Sequence, residues 1–169
     1  MIRVLYVCTA NIARSAYAEV ITANAGFDEL EVGSAGTHGW VDHPMYEHMA
    51  AELERRGVDP SGFRSRRLTP AIIDEADLVL TMTAAHRGFV LQERPGAVTK
   101  TFTVGQLARA LDEVPREVSG LEAVAAGRRL RATADAEDDV ADPYGRGPEA
   151  AALAADRLDT LLDRILLRL

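Results

Sequence analysis

The chain of 169 residues holds a single cysteine, Cys8. No disulfide can form within it, so the fold must rest on a buried core. A lone thiol also suits a reducing compartment, and a cytoplasmic location is the expectation. Lysine is almost missing: Lys100 stands beside 18 arginines, and acids outnumber both, for a net charge of −7. Such a balance does not suit nonspecific binding to nucleic acid, which draws on cationic surface. No apolar run approaches the ~20 residues of a membrane-spanning helix, and no signal peptide is expected before the first apolar stretch. The four histidines, His38, His43, His48 and His86, lack the spacing of a metal site. Neither a metal nor a cofactor is expected.

What is present is apolar content of 47% in a length that suits one core, and one domain over residues 1–169 is expected. Apolar runs and amphipathic stretches alternate along it. Strands are expected at Arg3 to Val7, Leu30 to Ser34, Ala76 to Met82 and Val98 to Thr103. Helices are expected from Ala13 to about Ala25, from about Pro44 to Arg56, at Thr69-Pro70 onward, after Thr83, after a capping box at Thr103 to Gln106, and from Gly147-Pro148. In the last of these, Leu158, Leu161, Leu162, Ile165 and Leu169 form one stripe, expected to pack on the sheet. The alternation implies an α/β fold of three layers, a four-stranded parallel sheet with helices on both faces, of the flavodoxin-like kind. Residues 112–135 are expected to hold one extra helix and a mobile lead-in to a downstream loop.

Cys8 follows the first strand and opens the run Cys8-Thr9-Ala10-Asn11-Ile12-Ala13-Arg14-Ser15. With arginine so common, the cysteine–arginine spacing alone says little, and Cys8 alone could be a small buried apolar residue. The context sharpens it. Strand, short loop and helix bring unpaired backbone N–H groups to one point, a cradle for an oxyanion. A helix N-terminus and a nearby cation favour the thiolate, the nucleophilic form. Arg14 can grip two phosphoryl oxygens with its planar fork. Ser15 can donate to the sulfur, while Asn11 reads as a structural residue that tolerates left-handed backbone and holds the loop's carbonyls. Phosphoryl transfer also needs an acid for the leaving group. Asp142, in Asp138-Asp139-Val140-Ala141-Asp142-Pro143-Tyr144-Gly145, is the candidate, with Glu137, Asp138 and Asp139 expected to help keep it protonated.

Val7 to Ser15, the segment Ser34-Ala35-Gly36-Thr37 and the late Asp142-Pro143-Tyr144 together resemble the low-molecular-weight protein tyrosine phosphatases, in order and in spacing. The resemblance covers nearly the whole chain. It implies that Cys8 is the nucleophile, Arg14 the phosphate clamp and Asp142 the general acid, later the base that activates water. It implies a phosphate-binding loop of Thr9, Ala10, Asn11, Ile12, Ala13, Arg14 and Ser15, shaped by a network of Asn11, Ser15 and Ser34. It also implies a substrate cleft walled by Trp40 and Tyr144. The substrate would be a phosphotyrosine-containing protein, in bacterial relatives often a tyrosine kinase of polysaccharide export. Nothing in the sequence speaks to oligomeric state.

Three departures from the family pattern stand out. Ala13 replaces a second cysteine that protects the nucleophile in many members, so oxidised Cys8 has no partner in the chain. Ala10 stands where glycine is common, which strains the loop if that position needs positive φ. Ala16 replaces a frequent proline. Two other functions stay open. One is an arsenate reductase of the same fold that relies on an external thiol. The other is a non-catalytic phosphotyrosine-binding module, which would need neither nucleophile nor acid. Clusters at Arg55-Arg56 and at Arg64, Arg66 and Arg67 read either as solvated faces or as guides for acidic phosphopeptides.

Overall fold

A computed structural model describes residues 1–130 and 135–169. Four strands, β1 (Ile2–Cys8), β2 (Leu30–Gly36), β3 (Leu78–Thr81) and β4 (Thr101–Thr103), form one parallel sheet in the order β2-β1-β3-β4. Strand alternation divides β1 between two apolar layers. Val4, Tyr6 and Cys8 face one, with Leu78, Leu80 and Phe102; Leu5 and Val7 face the other, with Val79 and Ile73. Both faces are covered, as a parallel sheet requires. The three-layer α/β fold is therefore the expected one.

The helices are α1 (Arg14–Ala23), α2 (Glu47–Arg55), α3 (Pro70–Glu75), α4 (Ala84–Glu93), α5 (Val104–Asp112), α6 (Gly120–Leu130) and α7 (Gly147–Leu166). Three begin at threonines whose hydroxyls accept a backbone N–H of the first turn: Thr69 from Ile72, Thr83 from His86 and Thr103 from Gln106. The extra helix between residues 112 and 135 is α6. The expected mobile lead-in falls partly on residues 131–134, which lie outside the described residues.

Several boundaries differ from expectation for identifiable reasons. The second helix starts at Glu47, not near Pro44, because Tyr46 is held extended with its N–H on the Ile12 carbonyl. The fourth strand is only Thr101–Thr103, since Pro95–Thr99 coil into a 3-10 turn that leaves Val98 exposed. The stripe on α7 joins the central apolar layer, yet the helix lies mainly against α1, α2 and α5 rather than on the strands. Arg56 fastens that contact, pairing with Glu52, Asp156 and Asp159 at 2.7 Å each and lying over the Tyr17 ring. Arg55 also pairs with Glu52, so neither arginine is merely a solvated charge.

Candidate active site

β1 ends at Cys8, at the carboxyl edge of the sheet, where ligands of open α/β sheets bind. Between Cys8 and α1 the chain turns through Asn11, whose φ of 61° lies in the left-handed region. Ala10 has no positive φ, so the strain considered for that position is absent. The loop's carbonyls are tied outward by one following segment. Thr37 N–H donates to Cys8 O, His38 to Thr9 O, Trp40 to Ala10 O and Tyr46 to Ile12 O, at 2.7–3.1 Å. Among the described residues, the N–H groups of Asn11 to Arg14 find no acceptor. Carbonyls outward and N–H groups free is the arrangement of an anion nest at a helix start.

Gly36 makes the tie possible. A Cβ there would lie 2.4 Å from Thr9 O and 2.9 Å from the Ala10 carbonyl carbon, so β2 approaches the loop only as glycine.

Asn11 acts differently from the expectation that its side chain holds loop carbonyls. Its Oδ1 accepts from Arg66 N–H at 2.8 Å, which fixes the amide's orientation. Its Nδ2 then donates to Ser15 Oγ (2.9 Å) and to Ser34 Oγ (2.7 Å). With Ser15 accepting from Asn11, its own proton is directed to Cys8 Sγ, 2.9 Å away. Ser34 Oγ donates in turn to Glu19 Oε2 at 2.5 Å. Burial pushes the Glu19 carboxyl up, opposed by the Ser34 hydrogen bond and by Arg66. Arg66 also donates from Nε to Ser34 O, so of the basic cluster this residue props the loop.

Arg14 is buried at the start of α1. Its Nη1 donates to Val140 O at 2.9 Å and its Nη2 lies 3.3 Å from Asp142 Oδ2, while Nε has no partner among the described residues. An oxyanion in the nest would supply that acceptor. Asp142, half exposed, is brought over β1 by the loop before α7, and its Oδ1 accepts from Tyr144 N–H. Two of the neighbouring acids are held by other partners. Asp138 turns to Arg109 at 2.7 Å, Asp139 accepts from Ala84 N–H at the start of α4, and the charge that faces Asp142 is Arg14.

The resulting cleft, about 250 Å³, is lined by Cys8, Ile12, Arg14, Trp40, Asp142 and Tyr144 among others. Trp40 and Tyr144 meet edge to face, with ring centroids 5.9 Å apart. His43 packs on Trp40 at 5.2 Å and Tyr46 on Tyr144 at 5.0 Å. Sequence reasoning did not single out Glu19, Tyr46 or His86 for this site. No described group of His, Cys, Asp and Glu could hold a metal.

The family model for low molecular weight phosphotyrosine protein phosphatases matches residues 3–120. The chain belongs to that family of hydrolases. It is 32% identical over 163 residues to the protein-arginine-phosphatase of Geobacillus stearothermophilus, covering 96% of this chain and 93% of that one. It is 35% identical over 103 residues to the low molecular weight protein-tyrosine-phosphatase Etp of Escherichia coli K12, covering 61% of this chain and 69% of Etp. Two solved structures superpose with a TM-score of 0.78. The YwlE arginine phosphatase from G. stearothermophilus does so at 30% identity, over 99% of this chain and 91% of that one. A low molecular weight protein tyrosine phosphatase from T. tengcongensis does so at 28% identity, over the whole of both chains.

Proposed function

We propose that residues 1–169 form one protein tyrosine phosphatase domain that hydrolyses phosphotyrosine through a cysteinyl-phosphate. The observation that carries this reading is the loop itself: unpaired N–H groups and the Arg14 Nε gathered beside a thiol held by Ser15.

Cys8 Sγ attacks phosphorus along the line opposite the tyrosyl oxygen. The S–P bond forms, the P–O bond breaks, and Asp142 gives its proton to the departing phenolate oxygen. Loop N–H groups and the Arg14 fork stabilise the charge on the equatorial oxygens. Arg14 keeps Nη1 on Val140 and offers its Nε and Nη2 edge to two of those oxygens, releasing Asp142 for proton transfer. Asp142 then takes a proton from water as its oxygen attacks phosphorus. The S–P bond breaks, orthophosphate leaves and Cys8 returns as thiolate. Asn11 and Ser34 hold Ser15 in place for both steps.

The flat apolar walls of Ile12, Trp40 and Tyr144 support an aryl substrate. A phosphotyrosine-bearing protein is thus the partner, and a tyrosine kinase of polysaccharide export is one the family resemblance offers. No described helix is long and apolar enough to cross a membrane, in keeping with action on cytoplasmic phosphoproteins. A second reading, hydrolysis of phosphoarginine, is favoured by one observation. The arginine phosphatase matches 96% of the chain, whereas Etp matches 61%.

The test is turnover of an aryl phosphate, a phosphotyrosine peptide and a phosphoarginine peptide by wild type and Cys8→Ser, fully reduced and without metal. Loss in Cys8→Ser with phosphotyrosine preferred supports the proposal, and preference for phosphoarginine replaces it with the second reading. A wild type inactive on all three would leave arsenate reduction with an external thiol, or phosphotyrosine binding alone.

A further inference from the structure

His86 is a buried histidine beside the catalytic loop that the mechanism above does not use. Its Nε2 lies 2.8 Å from Thr9 Oγ1, and its Nδ1 lies 3.0 Å from Thr83 Oγ1. Thr83 Oγ1 also accepts the His86 backbone N–H at 3.2 Å as the cap of α4. Thr9 follows Cys8 directly and lines the same cleft. A line of three side chains thus runs from the start of α4 to the mouth of the nest.

Counting protons decides what that line can deliver. Burial first, and the nearby Arg14 charge second, hold the imidazole down to about 4, so at neutral pH the ring carries one N–H. Among the described residues Thr83 Oγ1 meets only the His86 backbone and ring, and Thr9 Oγ1 meets only His86. If the ring proton is on Nδ1, it points at Thr83, whose own hydroxyl proton then finds no acceptor within the line, and Thr9 must donate to Nε2. If it is on Nε2, every donor within the line is used. Thr83 donates to Nδ1, Nε2–H donates to Thr9 Oγ1, and the Thr9 proton is turned to the cleft. An anionic oxygen in the nest is a stronger acceptor than a neutral imidazole nitrogen, so a bound phosphoryl group selects this second tautomer.

We propose that the Thr9 hydroxyl donates a hydrogen bond to a phosphoryl oxygen of the substrate, and that His86, anchored by Thr83, is the positioning residue that aims it. The assignment rests on the phosphatase reading for its catalytic consequence, though not for its binding geometry. Phosphate would meet a side-chain hydroxyl in addition to the loop N–H groups and Arg14, and α4 would be coupled to the nucleophile loop through one ring.

Two measurements test it. The first is nitrogen-15 NMR of histidine-labelled wild type with and without inorganic phosphate. A proton on Nε2 of His86 in the phosphate complex is the expected result, and a proton on Nδ1 overturns the proposal. The second is kcat/KM on p-nitrophenyl phosphate. Thr9→Val, which keeps the shape and removes the hydroxyl, should lose about 10- to 100-fold, the range for one hydrogen bond to a charged group. Thr9→Ser should restore most of it. His86→Leu should lose a similar factor, and the double variant should be no worse than the weaker single one, because both remove the same interaction. An unaffected Thr9→Val, or losses that multiply in the double variant, overturns the positioning role. If wild type hydrolyses no phosphate ester, the phosphatase reading fails, while the tautomer in the phosphate complex still decides the relay.

Discussion

Asn11→Ala is the substitution that probes the loop most directly. Asn11 is fully buried, and its amide joins three partners: Arg66 N–H, Ser15 and Ser34. Alanine removes all three bonds and leaves Arg66 N–H without its acceptor, a loss of about 1–3 kcal/mol for that group alone. The other two bonds contribute about 0.5–1.5 kcal/mol each. Alanine must also hold φ near 61°, which costs about 1 kcal/mol. The sum is about 3–7 kcal/mol, a large part of the ~5–15 kcal/mol that stabilises a domain. Urea unfolding of wild type, Asn11→Ala and Asn11→Gly measures it. Glycine loses the same bonds but accepts the backbone, so it should be milder than alanine by about 0.5–1 kcal/mol. Alkylation of Cys8 by iodoacetamide at neutral pH should slow in both variants, because Ser15 no longer has its proton directed at sulfur. A loss below about 1 kcal/mol for alanine would refute the hydrogen-bond account. Equal stability of alanine and glycine would refute the backbone account.

Other outcomes follow from the same geometry. Asp142→Ala should lower turnover of a phenyl phosphate by about 10²–10⁴, and that of p-nitrophenyl phosphate far less, because a good leaving group needs no proton. Equal losses in the two assays would remove Asp142 as the acid. Gly36→Ala should displace the Thr9–Ala10 backbone, cost about 1–3 kcal/mol and reduce activity, measured by thermal unfolding and phosphate release; wild-type activity would show that β2 does not support the loop. His86 gives stability a pH dependence of known sign. Its folded pKa of about 4 lies below the unfolded value of 6.5, so between those limits the unfolded chain binds the extra proton. Stability should therefore fall by about 3 kcal/mol as pH drops from 6.5 to 4, then level off. Urea unfolding across that range should lose this slope in His86→Gln, and an unchanged slope would assign it to other groups.

Much of the site was legible because it is local. Cys8, Arg14 and Ser15 lie within eight consecutive residues, so a strand followed by a helix already brings them close together, while contacts from residues 36–46 and Arg66 fix the loop's shape. The parallel sheet was legible for a related reason, since buried strands and amphipathic helices carry their periods in the chain. Positive φ at Asn11 follows from a residue type that tolerates it.

What only the tertiary structure decided is what each group faces. Asp138 and Asp139 lie close to Asp142 in sequence, yet Arg109 and the start of α4 take their charges, and Arg14 from 128 residues away meets Asp142. Tyr46 reads as part of a helix until its N–H is found on Ile12 O, where the loop's geometry outweighs helical periodicity. Glu19 reads as one acid on a helix, and His86 as one histidine among four. Each acquires its role from a hydrogen bond to a residue in another segment. Proximity along the chain sets which groups are available, but charge and hydrogen bonding act through space, and the fold alone sets those distances.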